Sequence, residues 1–210
     1  VASGTHPTLP MHVDKDPFTS NDVRLALKYA INREEMVEKL LFGHGSIGND
    51  NPIAPSMPYY HDIPQREYDP ERAKFHLQKA GYDSLILDLS TSEAAYAAAV
   101  DTAVLFKESA AQSGITINVK REPADGYWSD VWLKTPFMVV SWGQRPTPDV
   151  MFSLAYQAGA AWNESNWENE RFNELLLAAR GELDEVRRAE IYAEMQMLVH
   201  DDGGTIVPFF

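Results

Sequence analysis

A mixed β-sheet flanked by helices, an α/β layer fold, is what the order of short apolar runs and helical repeats predicts for this chain of 210 residues. Two observations carry the prediction. Leu85 to Leu89, Ile115 to Val119 and Phe137 to Trp142 read as strands, and helical segments fall between and around them. Both ends of the chain, Thr8 to Val13 and Thr205 to Phe210, are also extended in pattern. No apolar run approaches the ~18 residues of a membrane span.

The first helical segment is Pro17 to Leu41, which reads as two helices in tandem. Val23, Leu27, Ala30 and Ile31 form one apolar stripe, with Ser20, Asn21 and Asp22 offering capping oxygens and negative charge at its start. Asn32 and Glu35 form a capping-box-like pair that restarts the helix. Met36, Val37, Leu40 and Leu41 give the second helix its own stripe, and Gly43 stands where a C′ residue belongs.

Asn49 to Tyr68 is proline-rich and reads as an irregular surface loop. Asp69-Pro70-Glu71 then supplies a cap, a proline at N1 and an acid in the first turn of a helix that runs to Gly81. Leu85, Leu87 and Leu89 alternate on one face of a strand. Glu93 to Ser113 is an alanine-rich helix closed by Gly114. Ile115, Ile117 and Val119 alternate again, and Asp125 to Leu133 is a short aromatic helix. Phe137 to Trp142 is apolar almost throughout, as a strand buried on both faces would be. Asn169 to Arg180 is a helix built on Phe172, Leu175, Leu176 and Ala179. Asp184 caps another, with Ile191, Tyr192, Met195, Leu198 and Val199 on its buried face.

Composition narrows the function classes. The chain is 44% apolar and 23% charged, an ordinary globular balance with enough length for a sizeable core. Its net charge is −13, from 18 basic against 31 acidic residues, so a nucleic-acid partner is not expected. There are no cysteines, which excludes disulfides and thiol chemistry. No basic n-region precedes an apolar h-region, so an export signal is expected outside this sequence.

Catalytic and metal motifs fail on context. Gly43-His44-Gly45-Ser46-Ile47-Gly48 matches GxGxxG but follows a helix and enters a proline-rich loop, where a dinucleotide site needs a strand before and a helix after. Ser46 lacks the glycine two residues upstream that a hydrolase elbow requires. The histidines, His6, His12, His44, His61, His76 and His200, show no i, i+4 pair, so no metal site is expected. No pair of carboxylates is marked as an acid–base couple, and neither an enzymatic activity nor a cofactor is expected.

The aromatics are the positive signal. All five tryptophans fall between Trp128 and Trp167. Trp132 and Trp167 read as packing residues. Trp142 ends a buried strand and is followed by Gly143, Gln144 and Arg145. Ligands of open α/β sheets bind at the carboxyl ends of strands, so an indole beside exposed backbone and a guanidinium makes a small-molecule clamp.

Four segments, in order, resemble the family 5 extracellular solute-binding proteins of bacterial ABC importers, the dipeptide-, oligopeptide- and nickel-binding type. They are PFTSNDVRLALKYAINREEMVEKLLFGHGS, YDPERAKFHLQKAGY, SGITINVKRE, and the closing run from Arg171 to Phe210. The resemblance implies a periplasmic-binding-protein-like lobe: residues 1–210 as the carboxy-terminal lobe, lobe II, of a two-lobed protein. Residues 1–13 and 205–210 are then crossover strands to a first lobe outside this sequence. It further implies hinge closure on a small solute, an extracytoplasmic location, and ABC permease subunits as membrane partners.

The resemblance also reaches Trp142 to Arg145, which is similar to the family's W-x-x-D, whose aspartate grips a peptide's α-amino group. Arg145 stands in the aspartate's place and reverses the charge. A carboxylate or phosphate would be held there and an ammonium repelled. A structural ion pair is the other reading of Arg145. The expected ligand contacts are Trp142 and Trp162 as apolar walls, Gly143 through its backbone, Arg145 and Asn163 as polar anchors, and Trp128. A sensory or chaperone-like module reusing the fold is the alternative function, since fold does not fix function.

Overall fold

The computed structural model describes residues 3–210. The chain runs through β1 (His6–Pro10), α1 (Asn21–Ala30), α2 (Arg33–Leu41), α3 (Pro70–Lys79), β2 (Leu85–Thr91), α4 (Ala99–Ala111) and β3 (Ile115–Arg121). A π-helical turn at Tyr127–Val131 follows, then β4 (Val140–Trp142), α5 (Pro148–Ala155), α6 (Glu170–Gly181), α7 (Glu185–Asp202) and β5 (Thr205–Ile206).

The sheet is mixed. β2 and β3 pair in parallel, from Leu85 opposite Ile115 to Thr91 opposite Arg121, and α4 makes the crossover that a parallel pair needs. β1 lies antiparallel to both β4 and β5, with His6 opposite Trp142 and Leu9 opposite Ile206. The two groups of strands are spliced at Ser90. Its N–H donates to the Phe137 carbonyl at 3.1 Å, and its own carbonyl accepts from the Val139 N–H at 2.9 Å. Residues 137–142 are therefore central, with β2 on one side and β1 on the other. That position explains why Phe137, Met138, Val139 and Val140 are all buried and why this stretch shows no alternation.

Two apolar cores lie beside the sheet. One joins α1, α2, α3 and α4 to β2, β3 and residues 137–140, through Leu27, Met36, Leu77, Phe106 and Phe137. The other joins α5, α6 and α7 around Phe152, Phe172, Tyr192 and Met195, and takes in Trp142.

Most caps behave as the sequence predicts. Asn32 Oδ1 accepts from Glu35 N–H at 3.1 Å, Asp69 from Arg72 at 2.9 Å and Asp184 from Val186 at 2.9 Å. Several elements differ from expectation. Ser20 occupies the N-cap of α1 without a side-chain cap bond. The first strand begins at His6 and not at Thr8, because His6, Pro7 and Thr8 are the residues that pair with β4. α4 begins at Ala99, six residues after Glu93. The Ala95 carbonyl is taken by the Ser141 hydroxyl at 2.7 Å, which holds that stretch in turns. The aromatic helix is a π-helical turn, pinned where the Tyr127 hydroxyl donates to the Val139 carbonyl at 2.7 Å. α5 has no counterpart in the sequence prediction.

Candidate functional site

The site builds outward from the carboxyl end of β4. The Trp142 ring is mostly buried and packs at 6.1 Å, centroid to centroid, against Trp162. Trp162 lies 6.1 Å from Trp132, and Trp132 lies 5.8 Å from Trp128. Four indoles thus form one continuous run, drawn from β4, the 159–167 loop and the π-helical turn. Trp128 and Trp162 remain 45% and 43% exposed, which is high for the largest apolar side chain.

Beneath the run lies Glu164. Its carboxylate accepts from Trp132 Nε1 at 2.7 Å and from the Thr8 hydroxyl at 3.0 Å. Burial pushes its pKa up, and hydrogen bonding from the Trp142, Trp132 and Thr8 side chains opposes that rise. One carboxylate therefore ties β1 and the π-helical turn to the loop that carries Trp162.

At the far end, the Arg145 guanidinium carbon lies 5.4 Å from the centre of the Trp142 ring, a cation–π contact. Its Nε is buried without a hydrogen-bond partner, and among the described residues no carboxylate pairs with it. The structural ion pair is thus not the arrangement found. Gly143 is exposed, and a Cβ there would meet nothing closer than Arg145 Nη1 at 3.9 Å, so its backbone is open to approach.

Asn163 is placed differently from the other predicted contacts. Its side-chain amide donates to the Trp167 carbonyl at 2.8 Å and the Gln157 carbonyl at 3.1 Å, and its Oδ1 accepts from the Ser165 hydroxyl at 3.3 Å. These bonds fold the loop that presents Trp162 and leave the amide little capacity for a ligand. Trp142, Gly143, Arg145, Trp162 and Trp128 are brought to one region; Asn163 supports it from within.

His6, opposite Trp142 in the sheet, joins the site. Its Nδ1 lies 2.8 Å from the Gly4 carbonyl, which can only accept, so Nδ1 carries the proton and Nε2 is a buried, unpartnered acceptor. Burial, helped by the Arg145 charge, lowers its pKa to about 4, so the ring is neutral near pH 7. A cavity of about 520 Å³, lined by His6, Leu41, His44, Tyr96, Ser141 and Phe210, opens beside it.

Sequence reasoning overlooked Glu164, Trp132 and His6 as parts of this site. Nothing in the Trp162–Trp167 loop marks Glu164 as the one acid that turns inward. α5 did carry a signal: Thr147-Pro148-Asp149 is a cap, an N1 proline and a first-turn acid, and Thr147 Oγ1 does accept from Val150 N–H at 3.4 Å.

Comparison with known proteins decides the family. The profile of the bacterial extracellular solute-binding proteins, family 5 (middle region), matches residues 1–164. The chain belongs to that family. It is 26% identical over 226 aligned residues to the dipeptide-binding protein of Escherichia coli K12, covering 95% of this chain and 39% of that protein. It is 27% identical over 204 residues to heme-binding protein A of Haemophilus influenzae, covering 93% of this chain and 37% of that one. The chain therefore spans about two fifths of the length of these family 5 relatives. The periplasmic binding protein DppA of Helicobacter pylori, solved in complex with the peptide STSA, superposes with a TM-score of 0.87. It is 24% identical, and the match covers 100% of this chain and 43% of that one, so it speaks for the fold alone.

Proposed function

We propose that this chain is a lobe of the solute-binding component of an ABC importer and contributes one half of a hinged ligand cleft. The solute is an organic anion or a non-standard peptide-like compound. A second lobe supplies the other wall, permease subunits in the membrane receive the loaded protein, and the protein works outside the cytoplasm. Residues 1–13 and 205–210 lead to that second lobe.

Arg145 carries the ligand reading. It stands where the resemblance places an ammonium-binding aspartate, at the carboxyl end of a central strand. It is stacked on Trp142 and has no carboxylate partner among the described residues. The side chain is half-buried, with its Nε buried and unpartnered, so an incoming anion can meet the guanidinium fork through charge-assisted hydrogen bonds. The neutral His6 beside it adds no competing positive charge. Membership of a family of solute-binding proteins supports the transport role, as do relatives named for dipeptide and heme binding.

The test is titration of the 210-residue chain by ligand-observed NMR with dipeptides and with small carboxylates, for the wild type and Arg145→Asp. Carboxylates bind the wild type weakly, at about millimolar Kd, since one wall acts alone, and Arg145→Asp loses them by about tenfold or more. Preference for dipeptides, indifferent to Arg145→Asp, would defeat the anion reading. Binding of a small solute by this chain at about 1 μM or tighter would defeat the shared-cleft reading.

A further inference from the structure

We infer that the tryptophan run extends the Arg145 site into a platform for anions with a flat aromatic body, so that the preferred ligand class is aromatic carboxylates. This rests on the anion reading above and adds the chemistry of the ligand's other end.

The run begins under the Arg145 guanidinium and continues as Trp142, Trp162, Trp132 and Trp128, each ring about 6 Å from the next. A ligand whose carboxylate meets Arg145 must lay its remaining atoms along some neighbouring surface, and the run is in contact with the guanidinium through Trp142. Its outward character is set by what lies beneath. Trp132 spends its N–H on Glu164, so that ring offers only apolar face and edge.

The polar side chains of the same loop are also spent. Asn163 holds Gln157 and Trp167, Ser165 donates to Asn163, and Asn166 donates to Asp14. A sugar or a polar peptide side chain would find few partners here and would pay for lost hydration. A planar unsaturated body requires none and gains from edge and face contact with indoles.

Glu164 makes the platform a built site. It is buried, and through Trp132 and Thr8 it joins the π-helical turn to β1. It sits two residues after Trp162, so ring positions from separate elements are fixed to one anchor. Glu164 is a positioning residue: it touches the rings, and the rings would touch the ligand. Rigid rings on rigid elements lose little freedom on binding.

The experiment titrates the chain with indole-3-acetate, hexanoate and indole-3-acetamide, read by ligand-observed NMR and tryptophan fluorescence. Indole-3-acetate binds about tenfold tighter than hexanoate, the value expected of ~1.4 kcal/mol of ring contact, and tighter than the neutral amide. Trp128→Ala and Trp162→Ala alter exposed rings and leave the fold intact. Each weakens indole-3-acetate by about threefold or more and weakens hexanoate by a smaller factor. Equal affinity for indole-3-acetate and hexanoate, with Arg145 dependence retained, overturns the platform and leaves the anion reading standing. Loss of Arg145 dependence for every carboxylate overturns the anion reading itself. Absence of saturable binding by any carboxylate up to about 10 mM overturns both.

Discussion

Arg33 Nη2 reaches both carboxylate oxygens of Asp50, at 2.6 and 2.7 Å, in a fully buried pair. Arg66 Nη1 adds a second contact to Asp50 at 2.7 Å, and the Val207 N–H donates to it at 3.2 Å. One carboxylate thereby joins α2, the 49–66 loop and the segment after β5. Burial alone would raise its pKa, but the Arg33, Arg66 and Lys28 charges overcome that and hold it well below the usual carboxylate range.

Asp50→Asn removes the anion and leaves buried cations uncompensated. A loss of about 3–5 kcal/mol is expected, measured as the free energy of urea unfolding. A loss below about 1 kcal/mol would show that Asp50 is not the counter-charge of this cluster. The sign with pH follows from the depressed pKa. The contribution of Asp50 is present above the ordinary carboxylate pKa of ~4 and is lost as pH falls below it toward the folded value. The difference between wild type and variant should shrink in that window.

Lys28 titrates in the opposite range. It is wholly buried, and its Nζ donates to the His200 carbonyl at 2.9 Å, with the Val199 carbonyl at 3.4 Å, at the end of α7. Burial lowers its pKa to about 7; Asp50 pulls upward, while Arg66 and Arg24 push further down. Between about 7 and the unfolded value near 10.4, the unfolded chain binds a proton that the native chain does not, so stability rises with pH there. Below pH 7 both states are protonated and this contribution is flat. Urea unfolding from pH 7 to pH 10 should show the wild type gaining on Lys28→Met. Parallel curves would rule the idea out.

The backbone plan was legible because its signals are local. Asn32, Asp69 and Asp184 cap what they were expected to cap, and Leu85, Leu87 and Leu89 of β2 and Ile115 and Ile117 of β3 face the core. The site was legible only at its outward end. Trp142 ends β4 and Gly143 and Arg145 follow it, and the short apolar run of that strand can be read locally. Glu164 meets Trp132 and Thr8 through contacts 32 and 156 residues apart in sequence, which no period encodes. The bonds of Asn163 were hidden for the same reason: a polar residue between tryptophans reads as a ligand anchor, and only the folded turn brings its amide onto the Gln157 and Trp167 carbonyls.

His6 gives a prediction on the acid side of neutrality. Its folded pKa is about 4, lowered first by burial, then by the Arg145 charge against the favourable Gly4 contact. The unfolded imidazole takes its proton near pH 6.5, so between about 6.5 and 4 the unfolded state binds more protons and stability falls as pH falls. His6→Gln removes that term. Across this window the wild type should lose more thermal stability than the variant. An identical pH dependence in both chains would mean that His6 is not held neutral.

The glycines at Gly45 and Gly48, which imitate a nucleotide motif, yield the last prediction. Residues 46–48 run antiparallel to the chain's last residues. Ser46 and Phe210 exchange backbone bonds at 3.0 and 2.8 Å, and the Gly48 N–H donates to the Pro208 carbonyl at 2.9 Å. A Cβ on Gly48 would lie 2.2 Å from the Val207 carbonyl oxygen and 2.8 Å from the Phe209 nitrogen. These are backbone atoms, so relief requires parting the two segments. Gly48→Ala should cost about 2 kcal/mol or more, in the range of an overpacked interior. Gly181, in α6 with no atom within 4 Å of an added Cβ, is the matched control. Gly181→Ala should be neutral or stabilising by up to ~1 kcal/mol, since alanine narrows the unfolded ensemble and favours helix. If the two alanines cost the same in urea unfolding, close packing of residues 46–48 on the chain's end is not what Gly48 provides.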